Sequence, residues 1–152
     1  MKFLNNYSNR ELNIWAELIL DIIVSIYFFP KIFPLIIDGQ LYSEALVGII
    51  ANTIIIAIIY SISVFGAINT LTKREEKDER DYIYELKSYR VSNIISQVSI
   101  YLLISLIVFN PINQVRLNEF TAPMIAMLLL IITLLSSTGK SLTQLFNYRK
   151  NI

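Results

Sequence analysis

Residues 45–72 carry no formal charge, and positions 45–68 are built largely from Ile, Ala and Val. At about 1.5 Å of rise per residue, such a run outlasts the roughly 30 Å hydrocarbon core of a bilayer. A helix apolar on every side has no face to offer to water, so this stretch belongs in lipid. The pattern recurs. Residues 91–115 are uncharged, with an apolar body at 94–109 that ends at Asn110-Pro111, because proline disfavours helix at the residue before it. Residues 120–139 are again uncharged and mostly Leu, Ile, Met and Ala.

The first span is less regular. Residues 14–37 are apolar overall but contain Glu17, Asp21, Lys31, Pro30 and Pro34. One reading is a long tilted helix kinked at proline. In the other, the helix ends near Tyr27-Phe28-Phe29-Pro30-Lys31, which resembles an interfacial aromatic belt, and residues 32–41 lie on the outer surface. The second is favoured, since two prolines and a lysine are awkward at membrane depth. Acidic residues interrupt the segment and no small-residue cleavage site follows, so it is expected to be retained rather than removed as a signal peptide. The expected fold is therefore all-α: four transmembrane helices at about 14–37, 45–69, 92–110 and 120–139. A charged helix at about 72–91 extends the third, and the 152 residues form one domain.

Composition excludes more than it selects. Hydrophobic residues make up 55% and mean hydropathy is +0.55, with only 16% charged, against about 45–50% apolar in soluble domains. With neither Cys nor His, disulfides, thiol or Ser-His nucleophiles and the usual zinc and haem ligation are ruled out. The four glycines are scattered, so there is no phosphate-cradling loop, and a net charge of +1 suggests no nucleic-acid partner. No cofactor is implied, and a non-enzymatic protein is expected. Of the 13 Lys and Arg, only Lys31 and Arg116 fall on one side of the membrane. Lys2, Arg10, Lys73, Arg74, Lys77, Arg80, Lys87, Arg90, Lys140, Arg149 and Lys150 fall on the other, which predicts both termini in the cytoplasm.

The charged helix sorts its residues when placed at 100° intervals. Tyr82, Ile83, Leu86 and Tyr89 make an apolar stripe, with Lys77, Arg80, Lys87 and Arg90 on one flank and Asp78, Asp81 and Glu85 on the other. Glu76–Arg80 and Arg74–Asp78 are favourable four-residue pairs, whereas Asp81–Glu85 and Glu75–Glu79 repel. Two readings follow. The simpler, which is favoured, is a solvated helix whose stripe packs on the other cytoplasmic ends of its own chain. The sharper is a docking surface for another membrane protein or for a second copy. In a parallel homodimer about a two-fold axis along the membrane normal, acidic flank would meet basic flank. The motif Asp78-Glu79-Arg80-Asp81 with Glu85, Lys87 and Arg90 resembles a poorly characterised group of small bacterial multi-pass membrane proteins. These carry a Glu-Arg-Asp helix and a Glu-x-Lys-x-x-Arg just before a transmembrane span. The resemblance covers about twenty residues and the four-span layout, and implies a bacterial cytoplasmic membrane.

Carboxylates inside a span are functional suspects, costing about 2.5–3.5 kcal/mol at the bilayer centre on insertion scales. Glu17, Asp21 and Ser25 share a face of the first helix, with Asp21 roughly 10 Å from its inner end. The sharp reading is a proton- or cation-coupling site, as in small drug-exporting transporters. The favoured one has Glu17 reaching the interface and Asp21 hydrogen-bonding to Asn93, Ser96, Gln97 or Asn69 on other helices. Glu75, Glu76, Asp78, Glu79 and Asp81 are read as a solvated face rather than a Mg²⁺ or Ca²⁺ site, because Lys and Arg interleave them. Asn52, Thr53, Ser99, Tyr101 and Ser105 are expected to be interhelical hydrogen bonders. The expected function is a contact protein of the lipid bilayer, in a regulatory, immunity or accessory role. An oligomeric transporter or channel using Asp21 is the alternative, and a holin-type lesion protein fits less well.

Overall fold

The computed structural model describes residues 9–41, 44–72, 78–109 and 121–150. Four helices account for nearly all of them: α1 (Asn9–Ile37), α2 (Glu44–Leu71), α3 (Glu79–Phe109) and α4 (Ala122–Lys150). Each is long and apolar enough to cross a membrane, so the chain is an all-α, multi-pass membrane protein. Residues 73–77 and 110–120, with much of the charge used for the orientation argument and the Asn110-Pro111 stop, lie outside the described residues.

The helix α1 runs straight through Pro30 and Pro34 to Ile37, so the favoured reading of an end near Pro30 is corrected. Burial supplies the reason. Phe28 and Ile32, on either side of Pro30, are 0% and 2% exposed and form the core with Leu46 of α2 and Met124 and Met127 of α4. That packing outweighs the lost backbone hydrogen bonds. The helix ends instead at Gly39, whose φ of 66° is the left-handed conformation that glycine adopts freely. Gln40 N–H donates to the Leu35 carbonyl at 2.9 Å and Gly39 N–H to that of Ile36 at 3.4 Å, the paired bonds of a Schellman stop.

Helix α2 contains one π-helical turn, Ser61–Phe65. Just before it, the Tyr60 hydroxyl donates to the Ala16 carbonyl of α1 at 3.1 Å. Thr72 leaves the helix in extended conformation, so the charged helix does not begin there as expected. It begins at Glu79, where Asp78 caps it. The Asp78 carboxylate accepts the Glu79 N–H at 2.6 Å, and Asp81 reaches back to the Asp78 N–H at 3.0 Å, half of a capping box. From there α3 runs unbroken into the third span. Helix α4 continues past the expected end at 139 to Lys150.

Among the described residues α4 packs against all three other helices, whereas α3 packs lengthwise on α4 alone. The face of α3 turned to α4 bears Ser88, Ser92 and Ser96, small residues every four positions that let two backbones approach closely. Opposite them stand Ser136 and Gly139. A Cβ on Gly139 would come within 2.5 Å of the Ile95 Cδ1. Gly139→Ala is accordingly expected to push Ile95 off its rotamer, a cost of about 1 kcal/mol that roughly cancels the gain of alanine over glycine inside a helix. In an Ile95→Val background, which lacks that methyl, the same substitution should stabilise by about 1 kcal/mol. Detergent-unfolding midpoints of the four proteins check this, and equal effects in both backgrounds would show that Ile95 is not the obstacle.

Candidate functional site

The apolar core occupies one end of the bundle, and polar side chains gather at the other. Asn9 at the start of α1 hydrogen-bonds Thr72 at the end of α2. Arg10 of α1 forms an ion pair with Asp81 at the start of α3, and the Tyr148 hydroxyl of α4 donates to the other oxygen of Asp81 at 2.6 Å. Tyr84 stacks edge-on against Tyr148, 5.2 Å between ring centres. All four helices are thus tied at one charged end, where α1 and α3 begin and α2 and α4 finish.

One layer deeper, Glu17 accepts both hydrogen bonds of a forked contact with Lys140 of α4, at 2.9 and 3.0 Å. Ser141 adds a third at 3.3 Å, and the Lys140 ammonium also lies 5.1 Å above the Tyr89 ring. Glu17 therefore does not simply reach for the interface. Asp21, a turn further in and only 5% exposed, accepts a hydrogen bond from Thr138 at 3.3 Å, with Ser137 beside it.

The expected grouping of Glu17 and Asp21 with Asn93 and Gln97 is corrected. Asn93 and Gln97 are exposed on the side of α3 turned away from α4, so a whole helix separates them from Asp21. Ser96 is also spent elsewhere. It donates to the Ser136 hydroxyl at 2.8 Å, while Ser136 and Ser92 lie 2.6 Å apart and Ser136 donates to the Ser92 carbonyl at 3.0 Å. Among the described residues, this serine cluster joins Tyr60, Thr138, Lys140 and Ser141 in supplying the hydrogen bonds between spans, in place of the expected Asn52, Thr53, Ser99, Tyr101 and Ser105. Thr53 returns its hydroxyl to the Ile49 carbonyl of its own helix at 2.7 Å, a common fate of threonine in helices. Asn52, Tyr101 and Ser105 are exposed.

The charged helix is also placed differently. Tyr82, Ile83, Leu86 and Tyr89 are 58%, 45%, 72% and 49% exposed, so the favoured reading, in which this stripe packs on its own chain, is corrected. Two of the three residues of the acidic flank, Asp81 and Glu85, turn inward instead. Asp81 is held by Arg10 and Tyr148, and Glu85 lines the same polar crevice. That flank cannot then meet a partner's basic flank as the paired arrangement required. Lys87, Arg90 and Arg80 remain exposed, as do Asp78 and Glu79, while Glu75 and Glu76 lie outside the described residues.

What emerges on α3 is a seam of which the spacing argument singled out only Ile83 and Leu86: Ile83, Leu86, Arg90, Asn93, Gln97, Tyr101 and Ile104, at intervals of three or four and all exposed. Its middle three members are polar. Asn93 and Gln97 flank Ser92 and Ser96, hence sit near the depth of Ser136, one turn inside Lys140. Neither makes a side-chain hydrogen bond among the described residues. Comparison of the chain with protein-family models, curated proteins and solved structures finds no match.

Proposed function

We propose that the protein is a non-enzymatic component of the bacterial cytoplasmic membrane that acts through contacts with membrane proteins, first of all a second copy of itself. The outer seam of α3 carries the reading. Amides facing hydrocarbon are costly and mark helix–helix contacts. A carboxamide both donates and accepts, so Asn93 and Gln97 can pair with their own images about a two-fold axis along the membrane normal. Leu86 and Ile104 extend that contact above and below, and Arg90 snorkels to the hydrated edge. The bias of Lys and Arg in the sequence supports cytoplasmic termini, and the Glu-Arg-Asp motif supports a bacterial membrane. A regulatory, immunity or accessory role follows from a surface built for contact.

The chain has no cysteine, so single thiols report cleanly. Leu86→Cys and Ile104→Cys should each give disulfide-linked dimers in native membranes, and Ile19→Cys, exposed on α1, should not. A dimer pairs Asn93 and Gln97 each with its image, two contacts at about 0.6 kcal/mol each, so Asn93→Leu with Gln97→Leu should weaken association roughly eightfold. Energy transfer between labelled copies in liposomes measures this. Linkage no greater at Leu86 and Ile104 than at Ile19 would defeat the self-pairing.

A further inference from the structure

On the side of the bundle away from α3, helices α1, α2 and α4 line an open cavity of about 450 Å³, within the usual range of small-ligand sites. Its walls are mostly aliphatic, including Leu20, Val24, Ile54 and Leu134. Ile54 and Ile58 on its rim are about half exposed, so it opens toward lipid. Ser61 and Ile62, from the π-helical turn of α2, close one edge; such turns recur at functional sites. Asp21 lines this cavity.

We infer that this cavity binds a lipophilic amine, with its ammonium on the Asp21 carboxylate and its hydrocarbon body along Leu20, Val24 and Ile54. Asp21 is 95% withdrawn from solvent, and among the described residues no basic group is paired with it. The nearest candidate, Lys140, is committed to Glu17 on the same helix face. The other hydroxyls on the wall are not all available: Thr53 and Thr133 bond carbonyls of their own helices. A phospholipid acyl chain would satisfy the aliphatic walls yet leave the carboxylate with Thr138 and Ser137 alone. A cationic head joined to an apolar body matches both halves of the cavity, since buried charges are stable when paired and hydrogen-bonded. Nothing in this site depends on the α3 seam, so it stands or falls separately from self-association.

The test uses the full chain in phosphatidylcholine nanodiscs and a dodecylamine bearing a photoreactive diazirine on its tail. Illumination should label residues of the α1–α2–α4 cavity in a saturable manner. Unlabelled dodecylamine should compete at concentrations at least tenfold lower than dodecanol. Asp21→Asn should erase that tenfold preference. Ala57→Phe, which fills the cavity and keeps the carboxylate, should reduce labelling several-fold. Equal competition by amine and alcohol in the unsubstituted protein would overturn the inference, because it would mean that the cavity holds only hydrocarbon. A preference that survives Asp21→Asn would overturn it equally.

Discussion

Lys140→Met is expected to destabilise the bundle by about 2 kcal/mol, between the cost of losing an exposed ion pair and that of stranding one partner of a buried pair. The Lys140 and Glu17 side chains are 20% and 30% exposed, so Glu17 left alone retains some hydration, which keeps the cost from rising further. Glu17→Gln alone should cost less, about 1 kcal/mol, because the ammonium keeps the Tyr89 ring and water. The double variant Glu17→Gln/Lys140→Met should recover most of the loss. Neither charge is then stranded, and Ser141 still has a side-chain oxygen to bond. Reversible unfolding in mixed micelles gives the three values. If the two single costs simply add in the double variant, the pair is screened by water and the two charges are not coupled.

Asp81→Ala should cost somewhat more, about 3 kcal/mol, for a different reason. One carboxylate performs three tasks: it pairs with Arg10, accepts the Tyr148 hydroxyl, and holds the Asp78 N–H at the start of α3. Losing a helix cap typically costs about 1 kcal/mol, and a hydrogen bond a similar amount. The partly exposed ion pair adds about another. The loss should be concentrated at the charged end, so amide exchange in residues 79–84 should accelerate before exchange in the Phe28–Ile32 core. Asp81→Asn keeps one oxygen for the cap and can turn its amide N–H to the Tyr148 hydroxyl oxygen, which then accepts, so it should lose only about a third as much. Uniform acceleration through all four helices would indicate that Asp81 supports global stability and not a local latch.

The four spans are legible in the sequence because long apolar runs with little or no charge suit a bilayer and few places in water. Their ends are less so. Two prolines argue for stopping α1, and only the contacts of Phe28 and Ile32, which involve residues nearly a hundred positions away, overrule them. Gly39 directly after Asp38 is the local stop signal. The orientation of α3 is the hardest to read. Within the span lipid is as apolar as a core, so burial alone gives no side of α3 an advantage, and the turns before it that carry Tyr82, Ile83 and Leu86 follow whichever face the span turns to α4. Close approach decides instead, and the repeat of Ser88, Ser92 and Ser96 is its sequence mark. Glu17 and Asp21 stand out as unusual, but their partners Lys140 and Thr138 look, in sequence, like topogenic charge and ordinary span.

The arrangement in which the length of α3 packs on α4 alone has a consequence for biogenesis. Helices leave the ribosome in order, so α1 and α2 can pair as soon as both have been made. The third helix then enters the bilayer with both of its polar rows exposed, the serines on one side and the amides on the other. Until α4 arrives, nothing in the growing chain covers either row. The fourth helix then joins a preformed hairpin to a waiting single helix, and the bundle closes in one late step. Mutations in α4 should therefore be felt most by nascent chains, as turnover during synthesis, before any effect is visible in the finished protein.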